Sequence, residues 1–130
     1  MPLIDRLKYG AAGLGMAMLS SHAMAADESH FLIDTTGDLA TLCGANPEDP
    51  NYSAAIHMCQ GYIIGIAHFH HALAAELKED VYCLPEGDAR PSRNQATAMF
   101  VEWAGSNPDS AGTEALDGVL SWAAAAFPCK

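Results

Sequence analysis

The sequence predicts an all-α fold, a compact bundle of four to five helices stapled by two disulfides. Three observations carry this reading. Apolar residues recur at helical spacing, as in Ala96, Met99, Phe100 and Trp103 at i, i+3, i+4 and i+7. No segment shows the sustained alternation of a strand. Four cysteines, Cys43, Cys59, Cys83 and Cys129, stand in a short chain with no C-x-x-C pair, so they read as a disulfide framework rather than a zinc or thiol-redox site. The spacing alone leaves all three pairings open.

The first 25 residues read as a cleaved signal peptide. Arg6 and Lys8 give a positive start, and "YGAAGLGMAMLSS" is an apolar run too short to span a bilayer. Ala23-Met24-Ala25 is an A-x-A cleavage site, leaving residues 26–130 as one helical domain. Residues 26–34 read as a loose lead. "TTGDLATLCG" reads as a short helix capped by Thr35, with Asp38 in its first turn and Gly44 at its end. After the turn "ANPEDPN", Asp49 and Pro50 suit the N-cap and first position of a long second helix running to about Lys78. "KEDVYCLPEGDARP" is irregular. Ser92 to Gln95 form an S-x-x-Q capping box that opens a third helix, ended by Gly105 and Pro108. A fourth helix from about Thr113 carries Leu116, Val119, Leu120, Ala123 and Phe127, and Pro128 ends it.

The stretch "MCQGYIIGIAHFHHAL", residues 58–73, is the most apolar part of the chain after the N-terminus. Gln60, His68, His70 and His71 interrupt it, which argues against a membrane span. Two mostly apolar stripes, one through Cys59, Ile63, Ile66, His70 and Leu73 and one through Met58, Tyr62, Gly65 and Phe69, predict a central helix with neighbours on two sides. Gly61 and Gly65, four apart, read as a groove for close backbone approach. His68 and His71 are i, i+3 neighbours, yet a structural zinc wants four ligands and no cysteine spacing completes the set. They read as surface histidines, with no metal or cofactor expected.

Charge narrows the partners. The chain has 16 acidic and 6 basic residues, a formal charge of −10, and losing Asp5, Arg6 and Lys8 with the signal takes it to −11. That balance argues against nucleic acid and anionic membrane surfaces and suits a basic protein partner. Catalysis finds no constellation: Ser92 and Ser110 sit in helix-start contexts, no G-x-S-x-G is present, and the carboxylates lie in solvated loops. A binding module, not an enzyme, is the expectation.

The motif set resembles the Rap/Tai family, immunity proteins that neutralise peptidoglycan amidases delivered by the type VI secretion system. The residues that carry the resemblance are Cys43 at the end of a short helix, then Cys59-x-Gly61-Tyr62-Ile63-x-Gly65 and Cys83-Leu84-Pro85-x-Gly87. Gln95, Trp103, Pro108 and the closing Ala126-Phe127-Pro128-Cys129 follow. The resemblance covers about residues 38–129. It implies a periplasmic, mainly helical protein, often a homodimer, that binds an amidase effector and occludes its cleft. A rival reading is an acid-stress periplasmic chaperone, or a general periplasmic binding protein with no amidase partner; two crosslinks would resist the opening an acid chaperone needs.

Within this frame the expected pairing is Cys43 with Cys59 and Cys83 with Cys129, against the nested alternative of Cys43–Cys129 with Cys59–Cys83. Ile63, Ile66, Phe69, Phe100, Trp103, Leu120 and Phe127 are the expected core. An inhibitor of a hydrolase needs a rigid loop that enters a cleft. "GSNPDSAG", residues 105–112, is the candidate for insertion through Asn107, Asp109 and Ser110. "LPEGDARPSR", residues 84–93, is the candidate rim through Glu86 and Asp88, whose charges would steer a basic partner.

Overall fold

The computed structural model describes residues 25–130, so the signal-peptide reading lies outside the described residues. Four α-helices follow one another: α1 (Thr36–Cys43), α2 (Tyr52–Leu77), α3 (Arg93–Ser106) and α4 (Ala115–Ala126). One short 3-10 turn precedes α1 and two others lie between α2 and α3 and between α3 and α4; among the described residues there is no strand, only an isolated bridge between Thr35 and Glu114.

Two of the helices start where their sequence says. The Thr35 hydroxyl accepts from the Asp38 N–H at 3.1 Å, and the Asp38 carboxylate accepts from the Thr35 N–H at 2.9 Å. Ser92 and Gln95 make the same reciprocal box at the head of α3, at 3.3 and 2.8 Å. Each box satisfies two backbone donors that the helix itself cannot.

The start of α2 differs from expectation. The helix begins at Tyr52 with Asn51 at the cap position, and Asp49 and Pro50 lie outside it. Asp49 is otherwise engaged: one carboxylate oxygen accepts from the Asn51 N–H at 2.8 Å and the other from the Ala26 N–H at 2.9 Å. The Asn51 amide donates to the Ala26 carbonyl at 3.0 Å. These two side chains clamp the Ala26 peptide instead of capping a helix. Consequently residues 26–34 are not a loose lead. They carry a 3-10 turn, Glu28–Leu32, and bury Ala26 and Ile33 against the bundle.

The core lies around α1, which touches all three other helices. Leu39 and Leu42 of α1, Ala55, Cys59 and Ile63 of α2, Phe100 of α3, and Val119, Trp122 and Ala123 of α4 are buried there. Phe100 stacks on Trp103 and meets the edge of Trp122, which in turn meets Phe127. Of the seven expected core residues, Ile63 and Phe100 are buried, and Ile66, Trp103, Leu120 and Phe127 are half-buried around them. Phe69 is not in the core at all: it is 67% exposed. Leu116, one of the apolar residues of α4, is exposed as well, while Trp122 of the same helix is buried. The close backbone approach expected at Gly61 and Gly65 is absent too. A Cβ at either position would meet nothing within 4 Å, whereas α1 and α4 touch at Gly118, against Thr36.

Both expected disulfides are present. Cys43–Cys59 ties the end of α1 to α2, and Cys83–Cys129 ties the segment after α2 to the C-terminus. Beside the second, the Cys83 N–H donates to the Phe127 carbonyl at 2.8 Å.

Candidate functional site

Residues 105–112 form an ordered turn. Asn107 follows α3, and its amide donates back to the Trp103 carbonyl at 2.8 Å. A 3-10 turn, Pro108–Gly112, comes next. The Ser110 hydroxyl donates to the Asn107 carbonyl at 2.7 Å, and the Thr113 hydroxyl donates to the Ser110 carbonyl at 2.8 Å. Asn107 and Ser110 therefore hold the loop's own backbone. Asp109 is exposed and has no hydrogen-bond or ion-pair partner among the described residues, so its charge is the group this loop presents. The turn rests on α1, where a Cβ at Gly37 would lie 3.1 Å from the Ala111 carbonyl oxygen. A loop fixed this way loses little entropy when a partner closes on it.

Residues 84–93 sit elsewhere. Glu86 and Asp88 flank Gly87 at a 3-10 turn, Gly87–Ala89, and both are exposed. Gly87 has φ +61°, which a side chain would strain, so the glycine sets this turn. The segment is anchored upstream by Cys83 and by Tyr82, which is buried and stacks on His70 with ring centres 4.0 Å apart. Burial pushes the Tyr82 phenol above its ordinary range, and the nearby Arg90 guanidinium pulls it partly back.

The structure keeps the two candidate loops apart. One precedes α3 and the other follows it, and a helix of 14 residues is about 21 Å long. Asn107, Asp109 and Ser110 thus follow the C-terminal end of α3, while Glu86 and Asp88 precede its start and Asp88 lines a hollow with Gln95 and Glu102 on the helix side. A partner that touches both must lie along this side of the bundle, since a narrow cleft takes only one.

A further surface lies along α2. Met58, Phe69, Leu73 and Leu77 are all exposed on α2, with Phe69 at 67% and Leu77 at 60%. They share one face, with Tyr62 between them and Gly65 beside them. Burial raises the Tyr62 phenol above its ordinary range, and the Glu114 carboxylate pushes it the same way. The apolar stripe through Met58, Tyr62 and Phe69 is the sequence signal for this surface, which faces out of the chain and not onto an internal neighbour. His68 and His71 are exposed on the same helix, and His70 is half-buried against Tyr82.

No curated protein and no solved structure matches the chain. The family model of the Rap1a immunity proteins matches residues 35–129, a span that runs from the cap of α1 through Cys129 and takes in both disulfides and both candidate loops. The chain therefore belongs to the Rap1a immunity protein family.

Proposed function

We propose that this protein is a periplasmic immunity protein that binds a peptidoglycan amidase effector of the type VI secretion system and occludes its active-site cleft. The observation that carries the reading is the family match across residues 35–129. Two disulfides suit an oxidising compartment, and the signal-like residues 1–25 supply the route there, leaving residues 26–130 as the mature domain. The protein acts by binding, without catalysis or cofactor. Asp109 on its braced loop reaches the effector cleft, with Asn107 and Ser110 holding its shape. Glu86 and Asp88 steer a basic partner from the segment that precedes α3. The bare apolar face of α2 joins two copies into a homodimer.

The test is protection of cells that carry a cognate amidase in the periplasm. Asn107→Trp with Asp109→Arg adds bulk and reverses charge at the loop tip. Loss of protection with an unchanged circular dichroism spectrum is the expected result. Full protection by that variant removes the loop from the site, and full protection by a variant lacking Glu86 and Asp88 removes the rim.

A further inference from the structure

A cleft of about 230 Å³ opens between α2, the 82–93 segment and α4. Its apolar lining includes Ile63, Trp122 and Phe127, and its polar lining includes Arg90, Arg93 and Tyr82. His68, itself exposed, stands at its outer edge. The charge distribution sets this cleft apart. The chain has 16 acidic residues and 6 basic ones, yet no carboxylate lines the cleft while two arginines do. The neighbouring hollows share Arg90 but set carboxylates beside it, Asp80 and Glu86 in one and Asp88 and Glu102 in another, and Arg93 lines neither. Neither arginine makes an ion pair with any of these among the described residues.

We propose that this cleft is a binding site for a small monocarboxylate with an apolar body, of the size of one N-acylated or C-terminal apolar amino acid. The carboxylate sits on Arg90 and Arg93, and the body lies on Trp122 and Phe127. Arginine suits this because its planar donors match a carboxylate, and an apolar floor strengthens the attraction by excluding water. The Tyr82 hydroxyl makes no hydrogen bond among the described residues and is not sealed from solvent, so it can donate to the same group. Size and field both select a small ligand. The volume lies below the roughly 300–1,000 Å³ of drug-sized sites, and the acidic surroundings repel any long acidic chain. The cleft shares the 84–93 loop with the proposed effector rim but uses its arginines, Arg90 and Arg93, where the rim uses Glu86 and Asp88.

The experiment titrates the purified, oxidised protein with N-acetyl-L-phenylalanine, with its amide, and with a pentapeptide ending in phenylalanine. Tryptophan fluorescence reports binding because Trp122 lines the cleft, and calorimetry checks it. Saturable binding of the free acid, with the amide about tenfold weaker or worse, is expected. Arg90→Gln with Arg93→Gln should lose about tenfold or more in affinity, and Arg90→Lys with Arg93→Lys should recover part of it. Ala67→Phe, which fills the cleft from α2 and leaves the charges alone, should abolish binding. If the pentapeptide binds as well as the small acid, chain ends are the source of ligand; if only the small acid binds, free acylated amino acids are. Absence of saturable binding by both carboxylates, or equal binding of acid and amide, overturns the proposal.

Discussion

At the scale of single residues, Gly118 fixes how α4 meets α1. A Cβ there would overlap the Thr36 hydroxyl and lie 2.6 Å from its methyl carbon. Thr36 cannot yield, because it is fully buried and its hydroxyl bonds to Thr113 at 2.9 Å and to the Glu114 carbonyl at 3.1 Å. Gly118→Ala should therefore destabilise by about 1–3 kcal/mol in chemical denaturation. Gly61→Ala and Gly65→Ala should instead stabilise the monomer by up to about 1 kcal/mol, through helix propensity alone. A neutral Gly118→Ala would mean the two helices have slack. The contrast shows a limit of legibility. A glycine inside a helical pattern is plain in the sequence, but the neighbour it admits is a tertiary fact, so the glycine pair of α2 suggests a groove that in fact lies at Gly118 of α4. A second residue-scale expectation concerns the phenols of Tyr62 and Tyr82, both raised in the folded state. The fold holds these protons more tightly than the unfolded chain does. Their contribution is fully present below the ordinary phenol value near 10 and is lost as pH rises through the raised folded values. Denaturation midpoints should fall above roughly pH 10, and more gently in Tyr82→Phe. Parallel curves for the two proteins would show that Tyr82 ionisation is not coupled to folding.

At the scale of elements, what could be read was local. The two capping boxes are four-residue patterns whose bonds close within themselves, and both formed as written. The start of α2 could not be read because Asp49 and Asn51 are held by Ala26, more than twenty residues away. The disulfides divide the labour between elements. Cys43–Cys59 crosslinks two helices that already pack on each other and bury Leu42 and Ala55 in the common core. Cys83–Cys129 closes 46 residues and holds a segment with little helix of its own. Replacing Cys83 and Cys129 by alanine should cost about 2–5 kcal/mol. Hydrogen exchange should quicken first in residues 79–92 and at the end of α4, while α1 and the first half of α2 keep their protection. Uniform loss along the chain would mean the second crosslink supports the whole core and not its local segment.

At the scale of the whole molecule, the lengths of the helices explain the bare face of α2. Its 26 residues extend about 39 Å, against about 21 Å for α3 and 18 Å for α4. No partner helix is long enough to cover it, so Phe69, Leu73 and Leu77 emerge where the bundle ends. The sequence announced that this helix had apolar surface to hide but could not say whether the cover belongs to the same chain. A contiguous apolar stripe on a protein of charge −10 is more than solubility asks for. A second copy of the same helix can cover it about a two-fold axis, where each stripe meets its own image. The open sides of Gly61 and Gly65 would let the two backbones come close. Sedimentation at tens of micromolar should then show a dimer. Phe69→Glu with Leu73→Glu should give a monomer whose helicity is unchanged, since both side chains are exposed within one chain and leave its core intact. Gly65→Ala should separate the two effects, weakening the dimer by steric bulk while the dissociated chain gains helix propensity. A wild-type protein that sediments as a monomer, or a doubly charged variant that still dimerises, would leave the stripe to some other partner.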